Sequence, residues 1–145
     1  MTTLTQDPPI QTMDAAKATT RQIPRGQWTT FFDSFSRQHD GWLASLELLA
    51  PDLGALTEVH NRPLAGIAAE LHRSGRDSIA IIFGRIPSEL THIINQPTHV
   101  WLKQTAEGAD DALEIESAEG PTALLRFRFP RLSEEVDGTI AWGEP

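Results

Sequence analysis

Histidine side chains are the residues from which this sequence could build a metal site, and the chain has five: His39, His60, His72, His92 and His99. Two imidazoles that bind one ion from a single helix or strand need the His-x-x-x-His or His-x-His spacing, and no pair here has it. His92 and His99 could meet across the loop containing Pro97 if their strands are neighbours. Because two ordinary strand histidines explain the pattern more simply, we predict no metal site and no other cofactor.

A pair of glutamates is the next candidate for chemistry. Glu114 and Glu116 lie two residues apart on a predicted strand, so both side chains point to one face. Two carboxylates can act as general acid and base when burial separates their pKa values. Arg126 and Arg128 follow with the same period on the predicted partner strand. The pattern therefore favours a cross-strand ladder of ion pairs on the outer face of a sheet.

Motifs for covalent catalysis and for phosphate binding do not occur in the sequence. There is no cysteine to act as a nucleophile, and no Gly-x-Ser-x-Gly segment presents a serine. Neither of the glycine-rich phosphate-binding patterns, G-x-x-x-x-G-K and G-x-G-x-x-G, is found. We predict no catalytic residue and favour a function other than catalysis.

The charge and length of the chain restrict its partners and its location. With 145 residues it has the size of one domain, and its 20 acidic against 12 basic residues give a net charge of −8. Such a charge argues against nucleic acid and against anionic membrane surfaces. No apolar run approaches the roughly 20 residues of a membrane-spanning helix. We predict a cytoplasmic protein, which the absence of cysteine fits, with no nucleic-acid partner and no direct membrane insertion.

The first predicted structural element is a helix, and a stripe of aromatic residues identifies it. Four aromatic residues lie at the spacing i, i+3, i+4 and i+7, namely Trp28, Phe31, Phe32 and Phe35. This is one face of an α-helix, with Pro24 suited to its first turn and Gly41 to the position after its last. We predict an amphipathic helix over about residues 24–40, with all four aromatic side chains packed in the core.

After Gly41 the hydrophobic period changes from 3.6 to two. About seven short strands are predicted between residues 42 and 129, with 56–60 and 64–71 as separate strands and a bulge or bend at Gly66. One helix followed by strands, without further helices between them, excludes a Rossmann-like sheet. The sequence therefore predicts an α+β fold, in which an N-terminal amphipathic helix packs on an antiparallel, strongly curved sheet or small barrel.

The alternation also predicts the register of the last hairpin, residues 113–118 with 122–129. Leu113 is expected opposite Phe127 and Glu114 opposite Arg126, with a three-residue loop at 119–121.

Several segments resemble those of a family of unknown function. They read IPRGQW at 23–28, FFDSFS at 31–36, LELLAPDLG at 46–54, PLAGI at 63–67 and LTHIINQP at 90–97, with the closing hairpin from LEIE to LLRF. Over about residues 22–130 the chain is similar to the bacterial domain-of-unknown-function family numbered five-three-three-five. The resemblance implies domain boundaries, and no activity, cofactor or catalytic residue.

The two ends of the chain differ from the predicted domain, residues 23–130. Residues 1–22 are rich in Thr, Gln, Asp, Ala and Pro and form a predicted flexible arm, and residues 131–145 form an acidic tail. Both ends carry isolated apolar residues that could anchor on a partner. Trp101 on a predicted strand is either a half-exposed tryptophan that marks a contact surface or part of one face of a two-sided strand. The predicted partner-binding residues are Ile10, Met13, Trp101, Ile140 and Trp142.

Two classes of function follow from these patterns. The preferred hypothesis is a non-enzymatic protein-interaction or accessory-subunit domain that docks through its terminal arms. A peripheral cytoplasmic subunit of a larger assembly, such as a membrane-bound electron-transfer or photosynthetic complex, satisfies these constraints. The alternative is a small-ligand binding protein or enzyme that uses the mouth of the β-barrel, with His92, His99, Arg126 and Glu114 as its first candidate residues.

Overall fold

A computed structural model describes residues 17–52, 54–85 and 87–128. Within them the chain forms one short α-helix and eight strands, which makes the fold α+β. The elements are β1 (Thr19–Ile23), a 3-10 turn (Arg25–Gln27), α1 (Trp28–Gln38), β2 (Leu43–Ala50), β3 (Gly54–Glu70), β4 (Ser78–Phe83), β5 (Leu90–Asn95), β6 (Pro97–Gln104), β7 (Asp110–Ser117) and β8 (Thr122–Phe127). None of the helices in these ranges is long and apolar enough to cross a membrane.

The eight strands form an antiparallel sheet in the order β1-β6-β7-β8-β2-β3-β4-β5. β1 and β5 are its two edges, and no described pairing joins them, so the sheet is open and the predicted barrel does not form. The step from β5 to β6 is unusual because Gln96 alone separates these strands, which lie far apart in the strand order. Gln96 makes this step with a positive φ of 54°.

The helix forms where the aromatic spacing predicts one, although it does not open the fold. Trp28, Phe32 and Phe35 are buried, whereas Phe31 is only partly buried, contrary to expectation. Residues 19–22, which the sequence analysis placed in a flexible arm, form β1 together with Ile23 and pair with β6. The Trp28 indole Nε1 donates to the Ile23 carbonyl over 2.8 Å, and this bond joins β1 to the helix.

β3 is one bent strand of 17 residues, not the two separate strands that were predicted. Its first half pairs with β2 and its second half with β4, with a bend at Asn61, whose φ is 48°. The predicted irregularity at Gly66 is confirmed, because the β3–β4 register shifts between Leu64 and Gly66. Here the Ser36 hydroxyl of α1 accepts from the Ile67 N–H (2.8 Å) and donates to its carbonyl (3.1 Å).

The register of the last hairpin differs from the predicted one. Leu113 lies opposite Leu125, not opposite Phe127. The Ser117 hydroxyl accepts hydrogen bonds from the backbone N–H groups of Glu119 (3.4 Å) and Gly120 (3.2 Å), which places the turn earlier than expected. The observed register differs from the predicted one by two residues. Because this number is even, the apolar residues still face the core, while the residues of the outer face have different cross-strand partners.

A buried carboxylate fixes the turn between β3 and β4. Asp77 accepts two hydrogen bonds from the Arg25 guanidinium, at 2.7 and 3.0 Å, and one from the His72 N–H at 2.8 Å. The Arg25 and His72 bonds lower the pKa of Asp77 to about 2. This ion pair links the 3-10 turn before α1 to the turn between β3 and β4.

The two adjacent phenylalanines of α1 give a test of this packing. Phe32→Ala should lower the free energy of unfolding by about 3–5 kcal/mol, because it removes a fully buried ring. Phe31→Ala is the matched control and should cost clearly less, since its ring is only partly buried. Urea unfolding followed by tryptophan fluorescence measures both. Equal losses would contradict the described orientation of the helix.

Candidate functional site

Trp101 is the one predicted partner-binding residue within the described ranges. It lies on the outer face of β6 and is half-buried. Its ring stacks on His99 with centroids 6.1 Å apart, and His99 Nδ1 lies 3.0 Å from Glu116 Oε1. The other predicted residues, Ile10, Met13, Ile140 and Trp142, lie outside the described part of the chain, as does the acidic tail.

The residues proposed for a small-ligand site do not converge. Glu114 pairs with Lys103 Nζ at 3.0 Å, and Arg126 Nη2 lies 3.9 Å from Glu47 Oε1, so the predicted pairing of Glu114 with Arg126 is wrong. His92 and His99 are on strands that do not pair with each other within the described sheet. The open sheet also has no barrel mouth in which these side chains could meet.

No group of three or more His, Asp and Glu side chains in the described ranges could hold a metal ion. Instead, two other features combine surface shape with polar groups that have no hydrogen-bond partner among the described residues. One is the free edge of β5 with the cleft beside it. The other is a small cleft between α1 and the β1 edge of the sheet.

The outer edge of β5 presents backbone groups that no described strand pairs. β5 pairs with β4 in an unbroken register from Phe83–Leu90 to Ser78–Asn95, and the Gln96 N–H donates to the Asp77 carbonyl at 2.9 Å. Because inward and outward backbone groups alternate along an antiparallel strand, the N–H and C=O groups of Thr91, Ile93 and Asn95 point away from β4. The Asn95 carbonyl accepts from Ser117 Oγ at 2.8 Å. Thr91 and Ile93 make no backbone pairing on this side within the described residues.

The side chains of β5 make this edge apolar and uncharged. Leu90 and Ile93 are 40% and 56% exposed, and with Leu56 they are the large apolar side chains that the described residues expose. The strand reads LTHIIN, without a charged residue, a proline or a bulge. Edge strands in soluble proteins are usually protected by one of these devices. β5 carries none of these devices within the described strand.

A cleft of about 360 Å³ lies at the C-terminal end of this edge. Its walls are the end of β5, residues 92–96, and the turn of the last hairpin, which contributes Ser117, Glu119, Gly120 and Pro121. The Ala118 N–H donates to the Gln96 carbonyl at 3.0 Å and holds the two walls together. The cleft is large enough for a side chain or short segment of a partner that continues past the strand.

The second feature is built around a buried histidine. His39 is 2% exposed and its ring stacks between Phe35 and Phe127, with centroid distances of 4.0 and 4.9 Å. His39 Nδ1 lies 2.7 Å from the Phe35 carbonyl, and Nε2 lies 3.1 Å from Asp110 Oδ2. Both ring nitrogens are thus occupied, so His39 positions Asp110 and is not itself available to a ligand.

Asp110 brings a negative charge to the surface of this cluster. Its side chain is 14% exposed, and Gln104 Nε2 donates to Oδ1 over 2.8 Å. Burial raises the pKa of Asp110, but the hydrogen bonds with His39 and Gln104 outweigh burial, so its pKa lies below its usual value. The carboxylate is therefore held ionised beside the cleft.

The cleft next to Asp110 has a volume of about 190 Å³. Its polar lining includes Arg21, Ser34 and Gln38, and none of these three side chains makes a hydrogen bond or ion pair with the described residues. Arg21 and Asp110 place opposite charges on one small surface.

Sequence reasoning missed both features. The position of His39 gave one usable signal, because it extends the stripe of Trp28, Phe32 and Phe35 by one more turn and so belongs to the buried helix face. Asp110 gave no such signal. Nothing in the sequence identified β5 as an edge strand.

The ionised state of Asp110 leads to a pH-dependent prediction. Because its folded-state pKa is lowered, ionised Asp110 stabilises the fold above its unfolded pKa of about 3.9, and this contribution is lost as the pH falls through the folded value. Asp110→Asn should lower the free energy of unfolding by about 1–3 kcal/mol at pH 7, since a hydrogen-bonded charge is removed. The deficit relative to wild type should shrink below pH 4.

Asp111→Asn is the matched control, because Asp111 makes no hydrogen bond or ion pair within the described residues. It should change stability little at either pH. Guanidinium unfolding of the three proteins at pH 7 and at pH 3 measures the difference. A deficit for Asp110→Asn that stays constant with pH would contradict this account of the carboxylate.

Comparisons with known proteins find one relative and one matching family model. The chain is 26% identical over 109 residues to an uncharacterized protein of Aquifex aeolicus (strain VF5), an alignment that covers 75% of this chain and 92% of that protein. No solved structure matches the chain. The model of a family of unknown function, DUF5335, matches residues 19–136, beginning at the first residue of β1. The chain belongs to this family of unknown function, DUF5335.

Proposed function

We propose that the chain is a non-enzymatic protein-interaction domain, an accessory subunit that binds an extended segment of a partner along β5. The observation that carries this proposal is the edge of β5 that no described strand pairs, where Thr91 and Ile93 direct their backbone N–H and C=O groups outward. A partner strand added there gains main-chain hydrogen bonds, and its alternate side chains contact the strand's two faces.

The composition of β5 supports this use of the edge. Exposed Ile93 and Leu90 supply apolar contact area, and the cleft at the end of the strand can take up a side chain of the partner. The opposite edge, β1, carries Arg21 and offers no comparable exposed apolar residue. β5 is thus the edge better suited to binding.

The wider biological role is a separate part of the same proposal. We infer a cytoplasmic protein that joins a larger assembly, for which a membrane-bound electron-transfer or photosynthetic complex stays a prediction. Docking through the terminal arms, with Ile10, Met13, Ile140 and Trp142 as anchors, stays a prediction as well. The β5 edge would add a contact surface to those of the arms.

Selection of displayed peptides on the intact protein tests the edge. Peptides with alternating apolar residues should be enriched, and their binding should shift the NMR signals of the Thr91 and Ile93 amides. Ile93→Lys should weaken that binding by about tenfold or more, which corresponds to roughly 1.4 kcal/mol. Leu56→Lys is the matched control, because Leu56 is equally exposed (57%) on another strand, and it should bind as wild type does. Peptides whose signals map away from β5 would refute the proposal.

A second candidate function is the binding of a small polar ligand in the cleft beside Asp110. It is favoured by Ser34 and Gln38, whose side chains make no hydrogen bond within the described residues, and by the opposite charges of Arg21 and Asp110, which line the same cleft. A ligand with a carboxylate for Arg21 and an ammonium group for Asp110 would satisfy both charges. The volume of about 190 Å³ lies below that of common ligand pockets and limits the ligand to the size of a small amino acid.

NMR titration with glycine, alanine and serine tests this second candidate. Binding should shift the amide signals of Ser34 and Gln38, and Arg21→Gln should abolish it, because the partner of the ligand carboxylate is lost. Arg76→Gln, in the turn before β4, removes the same charge away from the cleft and should leave binding intact. If none of the three amino acids shifts these signals at millimolar concentration, the cleft is not an amino-acid site.

A further inference from the structure

We propose that a second copy of this chain binds to β5, with the two β5 strands pairing antiparallel about a twofold axis at His92. The inference rests on the proposed function of this edge and names its partner. An antiparallel strand pair with twofold symmetry presents the same surface from both sides, so each copy satisfies the backbone groups of the other and the assembly closes as a dimer.

Charge favours this partner in spite of the acidity of the protein. Two chains of net charge −8 repel each other at most surfaces. β5 has no charged side chain, so two copies can meet along it without placing like charges side by side. Pairing of β5 with the β1 edge of another copy would instead be heterologous and would build open chains.

The positions of the outward backbone groups select the register. With the axis at His92, Thr91 lies opposite Ile93 of the second copy, and both residues direct their N–H and C=O groups to the new edge. Each of the two symmetric pairs then forms two hydrogen bonds. An axis at Ile93 would instead pair Thr91 with Asn95, whose carbonyl already accepts from Ser117. An axis at Thr91 would pair Ile93 with Glu89, which lies outside the strand.

The same register covers the exposed side chains. Ile93 lies beside Thr91 of the second copy and diagonal to its Ile93, within reach of a contact between large side chains. On the other face Leu90 lies opposite Ile94 of the second copy, whose side chain is buried in its own core, so Leu90 lies against the cleft at the end of β5 that Ile94 helps to line. The two apolar residues that β5 exposes are therefore both covered in the dimer.

A pair of six-residue strands makes a small interface. Interfaces that bury less than about 1,200 Å² in total belong to weak or transient complexes. We therefore expect a dimer that forms and dissociates with concentration, so that a partner protein with a better-fitting segment can displace the second copy.

The absence of cysteine from the sequence permits a direct test of the register. At the axis the two His92 residues form a pair that is not hydrogen-bonded, with Cα atoms about 4.5 Å apart, which suits a disulfide. Under mild oxidation His92→Cys should shift from the monomer mass of 16.0 kDa to twice that mass and return on reduction. Ile93→Cys is the matched control, because its two thiols would be diagonal, about 7–8 Å apart at Cα, and should stay monomeric.

Leu56→Cys measures the background of random collision, since Leu56 is exposed on a strand outside the proposed interface. Analytical ultracentrifugation of the cysteine-free wild type adds a measurement that does not depend on an introduced thiol. Wild type should show a concentration-dependent dimer, and Ile93→Lys should remain monomeric over the same range.

Three results would overturn the inference. These are faster cross-linking of Ile93→Cys than of His92→Cys, cross-linking of His92→Cys no faster than that of Leu56→Cys, and sedimentation of wild type as a monomer throughout. If selected peptides nevertheless bind at β5, self-pairing fails while the edge keeps its proposed function. If neither peptides nor a second copy bind there, both proposals fail.

Discussion

Burial of the aromatic face of α1 against the inner face of the sheet is the interaction on which the rest of the structure depends. Trp28, Phe32 and Phe35 fill the core that the strands enclose. Within the described ranges α1 is the one α-helix available to cover this face, so its position determines which strands can be buried. The Ser36 hydroxyl fixes that position by bonding both backbone groups of Ile67 in β3. The cluster of Phe35, His39 and Phe127 extends the same contact to β8.

Local periodicity was sufficient to predict the helix and most of the strands. The spacing of four aromatics located α1, and Gly66 correctly marked an irregularity in β3. The predictions that failed concern features that depend on contacts between residues far apart in the sequence. Residues 19–22 lack an apolar alternation, and they form a strand because β6 offers them an edge. The bend at Asn61 lets β3 continue where a break was expected. The register of the last hairpin differs by two residues from the predicted one, and the Ser117 hydroxyl bonds backbone groups of both its own turn and β5, a contact that the local sequence does not reveal.

The candidate sites were hidden for the same physical reason. His39 and Asp110 are brought together by the packing of α1 on the sheet, and their separate positions in the sequence give no sign of it. Edge status is likewise a property of topology. The strand order, and not the local sequence LTHIIN, leaves β5 with one described partner. Glu114 and Arg126 lie on the outer face, as predicted. They form ion pairs with Lys103 and Glu47, however, and not with each other.

Gln96 lies between β5 and β6, where the outer edge of β5 meets the cleft at its C-terminal end. A residue with a Cβ at φ 54° costs roughly 1 kcal/mol in backbone conformation. Here the cost is offset by hydrogen bonds of the Gln96 N–H to Asp77 and of its carbonyl with Ala118. The kink sends the chain from β5 directly into β6, which pairs with β1 and β7 and not with β5. Gln96 therefore lines the cleft and directs the chain away from β5, whose outer edge has no strand partner within the described sheet.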